Sequence, residues 1–166
     1  MNYIKKFFCR TCEVKIPKWF LITGIILSFI GLINASYLTF DHFNYNSDSF
    51  CPIVVDGYGS CHDVTNSEYA EVFGIPLALL GIFYYAFVFG VLVYLTKKNS
   101  NFLFGTLFAS TLFGFLFSII LVYIQIGPLG AICPYCMLSA LISLILFVLD
   151  LVLIIQNSIH HKKMLL

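Results

Sequence analysis

Four long apolar runs, separated by one long polar loop and two short polar turns, set the plan of this chain. The runs cover residues 19–40, 75–96, 102–126 and 133–155. At about 1.5 Å of rise per residue, each is long enough to cross a hydrocarbon layer roughly 30 Å thick. Backbone amides in lipid find no water to bond, so each run must satisfy its own, which a helix does. A membrane β-barrel would instead alternate polar and apolar residues in strands of about 10 residues, and no such alternation is present. The pattern predicts an all-α integral membrane protein, a four-transmembrane-helix bundle with a long external loop between helices 1 and 2. No internal repeat or low-complexity linker interrupts it. The expected organisation is a 1–17 segment, one membrane domain over 18–155 and a 156–166 tail.

The connections carry turn chemistry. In the long loop, Asn44, Asn46, Ser47 and Asp48 cluster, and Gly57 and Gly59 flank Tyr58 where the chain can reverse. Thr65 and Glu68 are spaced as a helix-starting capping box, so residues 69–73 are expected to form a short amphipathic turn ending at Gly74. Pro76 suits the first turn of the second span. Residues 97–101 and 127–130 read as tight turns that make spans two, three and four antiparallel neighbours. Asn34, Ser36 and Thr39 give the first span a mildly polar end, expected to face protein rather than lipid.

Composition agrees with the pattern. The chain is 60% hydrophobic and 10% charged, against roughly 25% charged in a soluble domain. Charge placement then orients it. Lys5, Lys6, Arg10, Lys15 and Lys18 precede the first span, Lys97 and Lys98 lie between the second and third, and Lys162 and Lys163 follow the fourth. With four spans these regions share one side, which the positive-inside rule makes cytoplasmic. Asp41, Asp48, Asp56, Asp63, Glu68 and Glu71 fall in the opposite, external loop. Both termini are therefore expected in the cytoplasm. The first span is too long for a signal-peptide core and has no convincing cleavage site, so it is expected to be retained. No basic stripe of nucleic-acid-binding character is present.

Candidate chemistry lies in the cysteines. Cys133-Pro134-Tyr135-Cys136 opens the fourth span on the external, oxidising side. Residues three apart share a helix face. Cys133 falls near the N-cap with Pro134 at the first helical position, where the helix terminus favours a thiolate. A thiol of low pKa is a good leaving group in exchange, so the pair reads as a reactive disulfide rather than an inert bridge. Cys51 and Cys61 lie in the external loop, where they serve either to close that loop or to exchange with the first pair; four external cysteines allow three connectivities. Cys9 and Cys12 lie on the reducing side and are too few for a closed zinc site. His62, beside Cys61, reads as a solvated loop residue, and His160-His161 as part of a basic tail. Asp150 is placed near the inner interface by a helix rise of about 26 Å from Cys133.

Taken in order, these features resemble the vitamin K epoxide reductase family in its bacterial disulfide-forming branch. The resemblance is carried by the loop pair Cys51 and Cys61, Ser67 six residues later, Gly74-Ile75-Pro76 leading into Leu80-Gly81-Ile82-Phe83-Tyr84, and the C-x-x-C at the head of span four. It covers residues 18–155. DsbB-type quinone oxidoreductases differ in placing C-x-x-C before their wider pair. The resemblance implies that Cys51 exchanges with a separate periplasmic thioredoxin-like (DsbA-type) partner and that Cys61 passes electrons to Cys133. It also implies that Cys136 faces a membrane quinone, ubiquinone or menaquinone, with Ser67 hydrogen bonding nearby. A bacterial inner-membrane location and no metal follow from it. Animal members carry an Asn and a Tyr at the positions of Leu77 and Ala140, so plain quinone reduction is expected rather than epoxide reduction. Two alternatives of other classes are a soft-metal membrane carrier and a non-catalytic scaffold stapled by its disulfides. The carrier would need ligands deep in the bundle, and the middle of spans two to four reads as free of Cys, His and charge.

Overall fold

The computed structural model describes residues 16–43, 64, 67–72, 74–98 and 100–163. Cys51, Cys61, His62, Cys9, Cys12 and Thr65 lie outside them. Four long helices dominate: α1 (Lys18–Phe43), α2 (Leu77–Lys97), α3 (Asn101–Ile124) and α4 (Pro134–Lys163). All four are long and apolar enough to cross a membrane, so the protein is a multi-pass membrane bundle. Pro17 starts α1 by lending its carbonyl to the Phe20 amide at 3.1 Å. Pro134 starts α4 at a position where its missing N–H costs nothing.

Residue placement is inverted relative to a soluble bundle. Ile22, Ile26, Phe29, Phe113, Ile120 and Tyr123 point outward, whereas Ser28, Asn34, Thr111, Gln125, Ser143 and Asp150 are buried. In lipid the outward face gains nothing from being polar, and interior polar groups pair across helices. The core at the end away from the cysteines is apolar and dense, built on Phe20, Leu92, Leu95, Phe104, Leu107 and Leu153. Two glycines allow the helices to close up. At Gly31 of α1 any Cβ would collide with the Tyr85 ring, and at Gly24 it would meet Leu92 Cδ1 at 3.1 Å.

The polar end of α1 divides. Asn34 and Thr39 turn inward, as expected, but Ser36 is exposed and bonds its own helix at the Leu32 carbonyl. The segment before α2 also differs from the expected amphipathic turn. A 3₁₀ turn (Glu68–Ala70) gives way to β1 (Glu71–Val72), which pairs antiparallel with β2 (Ile75–Pro76). Gly74, at φ +77°, makes the reversal that other residues resist. His42 at the end of α1 meets Glu71 at 3.4 Å and holds this hairpin over the bundle. The turn after α3 is not tight either. A π-helical turn (Gln125–Leu129) prolongs that helix, and Gly130 at φ +60° then reverses the chain.

Candidate active site

Gln125 explains why the π turn matters. The extra residue per turn carries its side chain inward, and its Oε1 accepts the Cys133 amide at 3.3 Å. The Cys133 carbonyl accepts the Met137 amide at 3.0 Å, the first bond of α4, so Cys133 caps the helix. Its side chain is 0% exposed. The Cys136 thiol hydrogen-bonds the Cys133 sulfur and draws the Cys133 thiol below its ordinary value. Burial opposes that shift, and the Cys136 and Tyr135 amides reinforce it. No disulfide joins the two cysteines in this structure.

The first turn of α4 is held from two sides. On α1, Asn34 Nδ2 donates to the Tyr135 carbonyl at 2.9 Å and to Ser139 Oγ at 2.8 Å. The Tyr37 and Tyr135 rings pack with centroids 4.9 Å apart. On α2, the Tyr85 hydroxyl donates to the Ser139 carbonyl at 2.9 Å and lies 3.2 Å from Ser143 Oγ. Three helices thus fix the position of the C-x-x-C.

Of the two cysteines, only Cys136 lines open volume. Cys133 packs with Leu38, Ala131 and Val64. Val64 is three residues after Cys61 in sequence. Cys136 packs beside the same group and also lines a cavity of about 450 Å³ between the four long helices, whose wall includes Leu38 and Val64. Ser67, Leu77, Tyr84, Phe117 and Ala140 line it too. So do Leu80 and Phe113, whose outward sides are exposed, Phe113 by 67%, so the cavity reaches the lipid-facing surface between α2 and α3. The walls are overwhelmingly apolar, as in sites that take small hydrophobic molecules.

Of the expected site residues, Cys133, Cys136 and Ser67 come together here. Ser67 Oγ donates to the Val64 carbonyl at 2.9 Å, tying the chain beside Cys133 to the cavity wall. Cys51 and Cys61 lie outside the described residues. From the sequence, Asn34 is expected only to face protein, Tyr84 is named only within the family motif, and Gln125 is not singled out; none is assigned to the site. Asn34 and Gln125 left a trace there, as isolated amides within apolar runs; Tyr84 left none among the chain's many aromatics.

Asp150 requires a correction. It is 2% exposed and accepts a hydrogen bond from Thr111 Oγ1 at 2.6 Å. Thr111 stands about 15 Å along α3 from Asn101 by helix rise, so Asp150 is inside the bundle, not at the interface. Counting residues along α4 gives a height but not which way the side chain turns, and it turns inward onto Thr111. Among the described residues, no three His, Cys, Asp or Glu side chains converge.

The model of the vitamin K epoxide reductase family matches residues 22–151. The chain is 38% identical over 136 residues to the protein named thiol-disulfide oxidoreductase LTO1 of Arabidopsis thaliana, covering 72% of this chain and 32% of that one. It therefore spans about a third of the length of this curated relative.

Proposed function

This chain belongs to the vitamin K epoxide reductase family, and we propose that it is a membrane thiol–quinone oxidoreductase that supports disulfide-bond formation. Its electron donor is a periplasmic thioredoxin-like protein, and its acceptor is ubiquinone or menaquinone drawn from the bacterial inner membrane. Both termini are cytoplasmic. The observation that carries this reading is that only one of two neighbouring cysteines, Cys136, lines open volume. Cys133 packs against Val64 at the end of the external loop, and Cys136 opens on an apolar cavity that reaches lipid.

The steps follow from thiol exchange. The partner's dithiol reduces the Cys51–Cys61 disulfide and leaves oxidised. The Cys61 thiolate attacks Cys133 in the Cys133–Cys136 disulfide, forming a Cys61–Cys133 bond and releasing Cys136 as thiolate. Cys51 then attacks Cys61, re-forming the loop disulfide and expelling Cys133. A sulfur whose thiol is drawn below its ordinary value leaves readily, which suits Cys133 to this role. Three residues of chain span at most about 11 Å, so the covalent reach from Val64 permits the Cys61–Cys133 contact. The Cys133–Cys136 dithiol finally yields two electrons and two protons to quinone, giving hydroquinone and restoring the disulfide.

The test uses purified protein in nanodiscs, a reduced thioredoxin-like protein and a soluble ubiquinone analogue. Wild type reduces quinone as the partner's thiols disappear. Cys51→Ala blocks partner oxidation but still turns over a small dithiol. Normal partner oxidation by Cys51→Ala rejects the relay, and failure of wild type to reduce any quinone rejects the whole reading in favour of a disulfide-stapled scaffold.

A further inference from the structure

Among the described residues, the Tyr84 hydroxyl is the one buried side-chain oxygen or nitrogen without a hydrogen-bond partner. Leaving such a group unsatisfied costs about 1–3 kcal/mol, so a protein keeps one for a reason. The position is built. Leu77, Gly81 and Tyr84 share the cavity face of α2 at helical spacing. The ring crosses to α3, where its hydroxyl rests on Gly114 so closely that any Cβ there would collide with it.

Apart from Tyr69, which is half exposed, the other polar groups on the cavity wall are already engaged. Ser67 donates to the Val64 carbonyl and Ser118 to the Gly114 carbonyl at 2.8 Å. Tyr85 takes the Ser139 carbonyl, Ser139 Oγ accepts from Asn34, and Gln125 holds the Cys133 amide. His42 pairs with Glu71. Ser143 Oγ is the nearest polar side-chain group to the Tyr84 hydroxyl, but it is engaged with the Tyr85 hydroxyl at 3.2 Å and stands beyond hydrogen-bonding geometry for Tyr84. The cavity therefore holds a redox-active sulfur from Cys136 and one unused, buried O–H donor, in walls that are otherwise apolar or satisfied.

The geometry points to Tyr84 as the residue that hydrogen-bonds the carbonyl oxygen of the quinone acceptor beside Cys136. This rests on the thiol–quinone reading and adds the residue that would orient the ring and stabilise its reduction. A quinone carbonyl is the kind of acceptor the phenol lacks. As two electrons arrive, negative charge grows on that oxygen, and a donor shielded from water strengthens its bond there. Tyr84 keeps its own proton over the cycle; the two protons of the hydroquinone come from the two thiols.

The test separates a ligand role from a structural one. Tyr84→Phe removes only the hydroxyl. Because that hydroxyl has no protein partner, the variant melts at or above the wild-type temperature in the same nanodiscs. Its quinone reduction driven by a small dithiol falls on the order of 10- to 100-fold. Infrared spectra of a carbonyl-labelled ubiquinone analogue bound to wild type show the carbonyl stretch displaced to lower frequency, and Tyr84→Phe returns it toward the free value. Gly114→Ala, which dislodges the hydroxyl from α3, reproduces the loss. An undisplaced band in wild type, an unchanged rate in Tyr84→Phe, or a fall in melting temperature that accounts for its lost activity would each overturn the assignment. Wild type that reduces no quinone is a different failure, visible before any variant is made; it removes the underlying reading and this one with it.

Discussion

The cysteine end of the bundle and its opposite end are built from the same helices but on different terms. At the opposite end Phe20, Leu92, Leu95, Phe104, Leu107 and Leu153 fill the space between helices, and the buried Asp150 is bonded to Thr111. At the cysteine end the helices are held apart by a cavity of about 450 Å³ and joined by directed hydrogen bonds from Asn34, Tyr85 and Gln125. Dense packing stabilises but leaves no room for a substrate. The hydrogen-bonded end gives up packing and keeps its geometry through directional contacts, which hold the C-x-x-C in place beside open volume. Tyr84 and Tyr85 condense the contrast into two adjacent residues: one phenol is fully used in holding α4, and the other is left free at the cavity.

Substitutions at the two ends should therefore fail differently. The largest effect is expected for Cys136→Ala, which should bring quinone reduction to background while melting stays near wild type, since the sulfur is only partly buried. Leu107→Ala should do the reverse. Emptying a fully packed site costs about 2–5 kcal/mol, read as a lowered melting temperature, with activity per folded molecule retained. Equal loss of activity in Leu107→Ala and Cys136→Ala would erase the distinction between the two ends.

A smaller effect concerns pH. The Cys133 thiol of the reduced protein lies below its ordinary value, chiefly through the Cys136 thiol. A group depressed on folding adds stability that is complete above its unfolded value and disappears as pH falls through the folded one. Thiolate absorbance of reduced wild type should thus appear at lower pH than in Cys136→Ala, where the main cause is gone. The reduced wild type should also lose stability on acidification through that lower range. Coincident titrations of the two proteins would remove this role for the Cys136 thiol. The smallest effect is expected for Asp150→Asn. The amide oxygen still accepts from Thr111 Oγ1, so stability should shift by no more than about 1 kcal/mol and quinone reduction should hold. A large activity loss would mean that the far end takes part in the chemistry after all.

The sequence by itself determined the number of spans and the C-x-x-C pair at the head of the fourth, because both are local. Twenty apolar residues must form a helix in lipid whatever surrounds them, and two cysteines three apart at a proline-marked helix start share one face wherever that helix packs. Resemblance carried the family, which the comparison bears out over residues 22–151. Tertiary structure alone decided that only Cys136 of the pair lines open volume, that Gln125 turns inward through a π turn, that Asp150 is deep and paired, and that a hairpin rather than a helical turn covers α1. These depend on contacts between residues far apart in the chain, such as Asn34 with Ser139 or Thr111 with Asp150. Nothing in the local periodicity of four uniformly apolar runs encodes them, because in lipid the outward and inward faces of a helix are almost equally hydrophobic.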